Sequence, residues 1–319
     1  LIGSINSASN SKSTVGSRKE SIGKRLAGIS FLLPGLCGVA VFYLIPFVDV
    51  IRRSFVQMAS GSFCGLQNYK MVVENDAFRL AAKNTVRFVL VCLPLLLVLS
   101  LVLAFFVNEL WTDLKQFHRR GQQRSGGESV NALIGAIKAA YLLPLAIPAA
   151  SVVLLWKLMF DRSGFVNGIL HLCGLHAVDW MNTGASFAVL VFSYIWKNLG
   201  YTMILWLAGL ASVPQSVYEA AEMDGAKKIV QFFKITLPLI RPMIFTIVVL
   251  SFLNSFKVFR EAYLVAGNYP QEDIYLLQHL FNNWFLSLSV DKMAAASVLL
   301  AGVIGGVVLI LQRLWETEG

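Results

Sequence analysis

Six stretches of this chain, at approximately 28–51, 84–108, 138–160, 185–210, 241–266 and 291–314, are apolar over a length that can cross a bilayer. A helix needs roughly 20 residues to traverse the ~30 Å hydrocarbon core. Backbone donors and acceptors in lipid find partners only inside a helix or a closed barrel, and the alternating pattern of barrel strands is absent. The expected fold is therefore an all-α integral membrane protein with six transmembrane helices. Composition agrees, since 56% of the residues are hydrophobic and only 14% are charged. Cys37, Cys64, Cys92 and Cys173 show neither C-x-x-C nor Cys/His ligand spacing and read as packing residues, although a bridge between Cys64 and Cys173 is conceivable.

Lys and Arg set the orientation, because loops on the cytoplasmic side are enriched in them. Fifteen fall in the N-terminal tail, the 109–137 loop with Lys138, the 211–240 loop with Arg241, and the C-terminus; seven fall in the opposite loops. Both termini are expected to be cytoplasmic, in the cell membrane. Residues 1–27 read as a disordered basic tail, 28–314 as the membrane domain and 315–319 as a cytoplasmic C-terminus. The tail is not a signal peptide, because the apolar run after it is long enough to span. A chain that opens on Leu1 and not on Met is expected to lack residues before it. The net charge of +9 needs no nucleic acid; topology and anionic inner-leaflet lipid account for it.

The 211–240 loop is the most informative stretch. Pro214 starts a short helix, Gly225 permits the positive φ of a helix end, and Pro238 closes a second segment before the next span. Ile229, Val230, Phe232, Phe233 and Ile235 are too many apolar residues for a solvated linker, so something covers them.

Glu219-Ala220-Ala221, three residues, Gly225, nine residues and then Ile235-x-Leu237-Pro238 resembles the EAA loop of ABC importer permeases. In that family the loop forms a coupling helix seated in a cleft of a separate ATPase subunit. The resemblance implies that Glu219, Ala220, Ala221, Asp224, Gly225, Ala226, Leu237 and Pro238 carry this coupling. Small Ala220, Ala221, Gly225 and Ala226 suit close approach, and Glu219, Glu222 and Asp224 offer acceptors to basic partner residues. Further similarity to carbohydrate-uptake permeases lies in Gly65-Leu66-x-Asn68-Tyr69, Asn84-Thr85, Trp196, Gly200, Leu207-Ala-Gly-Leu210 and Met223-Asp224-Gly225-Ala226. It extends over about 28–314 and implies a second permease subunit in a heterodimer, a cytoplasmic ATPase dimer, an extracytoplasmic solute-binding protein and a sugar substrate. ATP and Mg²⁺ would belong to the ATPase, leaving this chain without a cofactor. The chain departs from many relatives at Val265-Ala-Gly-Asn-Tyr-Pro270, where they carry Thr-x-Gly-Gly-Pro.

Charges within spans are costly and mark a cavity, a partner or an interface. Arg87 and Lys157 lie near span ends and read as snorkelling anchors. Lys197 lies mid-span within Trp196-Lys197-Asn198, with Tyr201 one turn on. An aromatic face beside a polar donor suits a sugar, and pairing with another subunit is the alternative. Asn254, Lys257, Arg260 and Glu261 are further pathway candidates, although Lys257 and Glu261 are spaced to neutralise each other. Tyr275 to Leu288 mixes apolar and polar residues as an interfacial helix does.

Enzyme chemistry finds no purchase. Gly23-Lys24-Arg25 is the nearest approach to a P-loop, but Arg18 replaces its first glycine and no Ser or Thr follows. His118, His171, His176 and His279 lack metal-ligand spacing, and there is no G-x-S-x-G elbow. The alternative transport class, a self-sufficient secondary transporter or channel, would favour mid-span carboxylates or an inverted repeat. Neither is evident.

Overall fold

The computed structural model describes residues 32–58, 60–120, 126–258, 262–263 and 270–317. The 1–27 tail, Arg260 and Glu261 lie outside them. Among the described residues the chain is helical, apart from turns and one isolated bridge between Val56 and Phe63. The helices are α1 (Leu32–Ser54), α2 (Gln67–Glu74), α3 (Asp76–Arg120), α4 (Gly126–Ala146), α5 (Ala149–Met159) and α6 (Phe165–Leu172). They continue with α7 (Ala185–Ala211), α8 (Gln215–Met223), α9 (Lys228–Leu239), α10 (Arg241–Ser255), α11 (Leu277–Leu286) and α12 (Val290–Thr317).

Four helices are long and apolar enough to cross a membrane by themselves, namely α1, α3, α7 and α12. Two bent pairs bring the number of candidate spans to at most six; the first coincides with the expected 138–160 span, whereas the second begins at Lys228, inside the 211–240 loop, so that only its Arg241–Ser255 limb belongs to the expected fifth span. Gly135–Ala146 and Ala150–Met159 meet at 92°, and Lys228–Leu239 and Arg241–Ser255 meet at 75°. Proline explains both breaks. Pro148 has ψ 137° and so leaves the helical region before α5, while Pro238 and Pro242 flank the second bend and withhold two backbone donors there. The fifth expected span is also shorter than its apolar run, ending at Ser255 and not near 266. Two π turns, Ala40–Leu44 and Phe232–Thr236, each end two residues before a proline. Widening the helix there moves carbonyls clear of the proline ring.

Contacts divide the chain into two units, Leu1–Val72 with Ser289–Ala301, and Val73–Leu288 with Gly302–Gly319. In the first, Asn68 ties down the loop that follows α1. Its buried amide donates to the carbonyls of Ser54 at 3.0 Å and Val56 at 3.1 Å. The Tyr69 hydroxyl bonds the Ser54 hydroxyl at 2.6 Å, and Phe55 packs on Tyr69 and Phe63.

The second unit is built on α3 against α7. Phe88, Cys92 and Leu96 pack on Phe187, Leu190, Val191 and Tyr194. Further along the same pair, Ala104 packs with Met203, Trp206, Leu207, Leu210, Ile240 and Ile247. A polar contact lies between the two clusters: Trp206 Nε1 donates to Ser100 Oγ at 3.0 Å, and that hydroxyl donates to the Leu96 carbonyl. Leu90, Leu95, Val98 and Phe106 are exposed on the opposite face of α3, as lipid contact requires. Between α5 and α7, Asn167 holds a compact loop. Its amide donates to the carbonyls of Asp161, Arg162 and Val178, and its oxygen accepts from Val178 N–H and Trp180 Nε1. Cys37, Cys64, Cys92 and Cys173 are free thiols, so the conceivable bridge is not formed.

Candidate coupling site

Pro214, extended at ψ 135°, turns the chain out of α7 and into α8. α8 ends in a Schellman motif: Ala226 N–H reaches the Ala221 carbonyl at 3.0 Å, Gly225 N–H reaches the Glu222 carbonyl at 3.0 Å, and Gly225 has φ +74°. Nothing lies within 4 Å of where a Gly225 β-carbon would stand, so glycine is required for its backbone and not for space. Ala221 is buried against the rest of the unit, whereas Glu219, Ala220, Glu222, Asp224 and Gly225 are exposed and Met223 is 90% exposed. One face of this short helix is thus anchored and the other is open, with carboxylates around an exposed methionine.

α9 fixes the loop from behind. Gln231, buried, donates through Nε2 to the Ala226 carbonyl at 2.8 Å, and the Tyr218 hydroxyl meets Thr236 Oγ1 at 2.9 Å. Lys228 forms an ion pair with Glu109 of α3, and the Phe232 ring packs edge-on to Phe105 at 5.1 Å. Leu237 packs on the cluster around Trp206, Ala226 is half-buried, and Pro238 is exposed. Among the apolar residues expected to be covered, Ile229 and Phe233 remain 70% and 62% exposed, which extends the open surface of α8. A cavity of about 660 Å³ opens between α3, α8 and α9, lined by Asn108, Glu109, Trp111, Tyr218, Glu219 and Gln231 among others.

The pathway candidates are placed on two neighbouring elements. Trp196, Lys197, Asn198 and Tyr201 are half-buried on α7. Trp196 stands edge-on to Trp156 at 5.2 Å, and Asn198 donates back to the Tyr194 carbonyl at 2.9 Å. Asn254 is in the last turn of α10 and accepts from Lys257 Nζ at 2.9 Å. Lys257 lies beyond the helix and is exposed, so it is not the intrahelical charge that the apolar run implies. Its expected partner Glu261 and Arg260 fall outside the described residues. Arg87 differs too: it is not merely a snorkelling anchor, because its guanidinium pairs with Asp273 at 3.3 Å and lies 4.1 Å over the Phe187 ring.

The 271–286 segment has a role that its sequence does not announce. Asn84 donates to the carbonyls of Glu272 and of Tyr275, the latter at 3.1 Å, while Thr85 Oγ1 accepts the Leu277 N–H at 3.1 Å. His279, fully buried in α11, accepts the Leu276 N–H at 3.2 Å, and burial pushes its imidazole down to about 4. Asn84-Thr85 stands out in the sequence, whereas its partners, 188 to 192 positions away, carry no local signal.

Residues 61–317 match the family described as binding-protein-dependent transport system inner membrane component. The chain is 31% identical over 249 residues to the trehalose/maltose transport system permease protein MalF of Thermococcus litoralis, covering 76% of this chain and 78% of that one. It is 29% identical over 300 residues to the arabinooligosaccharides transport system permease protein AraP of Bacillus subtilis, covering 91% and 89%. In fold it is similar to a chain of a bacterial ABC transporter involved in the import of the acidic polysaccharide alginate, with a TM-score of 0.75 at 22% identity over 94% of this chain and 99% of that one. A multi-pass membrane subunit without an ATPase of its own, the chain belongs to the family of inner membrane components of binding-protein-dependent transport systems.

Proposed function

We propose that this permease subunit carries a sugar or oligosaccharide across the membrane by alternating access driven by a separate ATPase. The observation that carries the coupling role is the geometry of α8: a short helix anchored through Ala221, with Glu219, Ala220, Glu222, Met223 and Asp224 turned outward. Such a surface can enter a cleft of a partner and transmit its movement, because the Tyr218–Thr236 contact ties it to α9, which in turn packs on α3 through Phe232–Phe105 and Lys228–Glu109. ATP and Mg²⁺ are then bound by the partner ATPase dimer, and this chain holds no cofactor.

Six spans, the third of them bent, with both termini cytoplasmic, suit the distribution of Lys and Arg and put α8 on the ATPase side. A second permease subunit would complete the pathway, and an extracytoplasmic binding protein would deliver the solute. A solved neighbour, 24% identical over 92% of this chain, is an alginate transporter in complex with a periplasmic protein bound to alginate pentasaccharide. The carbohydrate class is supported by the trehalose/maltose and arabinooligosaccharide systems of the relatives. Trp196, Asn198 and Tyr201 of α7 and Asn254 of α10 are the proposed solute-facing residues, with Lys197 and Lys257 beside them. Uptake of labelled maltose and arabinooligosaccharides into vesicles holding the whole complex tests this; uptake dependent on ATP and binding protein is expected, and uptake without ATP would contradict it.

A further inference from the structure

The coupling loop and the proposed pathway are connected through α3. Phe105 and Glu109 stand one turn apart on α3, and they meet Phe232 and Lys228, which stand one turn apart on α9. The pairing is antiparallel, with the ring contact and the ion pair in matching register, so α9 is gripped at two successive turns. Twenty-five positions towards the N-terminus of α3, Asn84 and Thr85 grip the backbone of the 272–277 segment, and Arg87 adds its pair with Asp273. At ~1.5 Å per residue the two grips are about 27 Å apart at their near ends, Arg87 and Phe105, and about 38 Å at their far ends, Asn84 and Glu109, comparable with the ~30 Å apolar core of a bilayer. α11 continues from that segment, and its Gln278 donates to the carbonyl of Phe256, in the turn that carries Asn254 and Lys257.

We propose that α3 is the relay of the transport cycle: displacement of the coupling loop is passed through Lys228–Glu109 and Phe232–Phe105 into α3, and by Asn84 into the 272–286 segment beside the pathway. Glu109, Lys228 and Asn84 are positioning residues. They act through the segments they hold and need touch no solute. An exposed ion pair by itself adds little stability, which suits a contact that sets direction and register.

This inference rests on the coupling role proposed for α8. Its test uses the complex purified with its own ATPase, in a chain with Cys37, Cys64 and Cys173 changed to serine and Leu286→Cys added; Leu286 is exposed on α11. The rate at which a maleimide labels residue 286 is compared with and without ATP. A change on adding ATP is expected, reduced roughly tenfold in Glu109→Lys and in Lys228→Glu, a size ordinary for coupling between two sites. The Glu109→Lys/Lys228→Glu exchange restores it. Asn84→Leu abolishes it while ATP is still hydrolysed. Single variants that keep the full response, an exchange that fails to restore it, or singles that lose the ATPase altogether each overturn the relay. If the unaltered chain purifies without any ATPase, the coupling role itself falls; if the ATPase is present and residue 286 never responds, only the relay falls.

Discussion

The backbone of Gly200 on α7 lies so close to Tyr141 on α4 that a β-carbon at position 200 would stand 1.7 Å from the Tyr141 carbonyl oxygen. That atom belongs to the backbone and cannot rotate away. Gly200→Ala should therefore force α4 and α7 apart at a cost of about 1–3 kcal/mol, the ordinary penalty of overpacking. A lower thermal midpoint in detergent checks it. Gly209→Ala is the contrast: its new carbon would meet Met243 Cγ at 3.0 Å, a side-chain atom that a small rotation can move, and the midpoint should fall much less.

Gly225 is constrained by its positive φ, not by neighbours. Gly225→Asn should keep the turn, since asparagine tolerates that conformation, and should co-purify with the ATPase. Gly225→Asp should insert normally yet uncouple or disassemble the complex, because it adds a charge beside Glu222 and Asp224 on the open face. Pull-down of the ATPase together with uptake measures both, and normal uptake by the Asp variant would contradict the coupling role.

Asn68→Leu removes two donors from the carbonyls of Ser54 and Val56 at a fully buried position. A loss of about 2–3 kcal/mol follows from leaving such groups unpaired. Faster proteolysis of the loop before α2 is the expected result, with ATPase binding through α8 unchanged.

Trp206→Phe should be milder. Ser100 still donates to the Leu96 carbonyl, so only the indole bond is lost. Interhelical hydrogen bonds of this kind in membranes contribute about 0.6–1.7 kcal/mol. A drop in thermal midpoint as large as that of Gly200→Ala would mean that the bond organises more of the α3–α7 contact than its geometry indicates.

Several of these features are legible in the amino-acid sequence by itself. Apolar length locates the helices, and the Pro214–Gly225–Pro238 punctuation locates α8 and its turn, because both follow from local chemistry. The bends do not follow. Pro148 and Pro238 are plain in the sequence, but a proline can kink a span or break it, and tertiary packing decides which. Lys257 falls inside an apolar run whose helix stops at Ser255, so periodicity alone overstates the span. Glu109 is illegible for a different reason. Its partner Lys228 is 119 positions away, and neither residue belongs to a motif. Contacts of that kind arise only when two amphipathic helices choose a register.

The most direct test of the central claim is affinity purification of the tagged chain from its native membrane in mild detergent, with mass spectrometry of whatever remains bound. Recovery of an ATPase and a second permease subunit, both lost in Gly225→Asp, is the predicted result. A chain that purifies alone and transports in liposomes without ATP would contradict it.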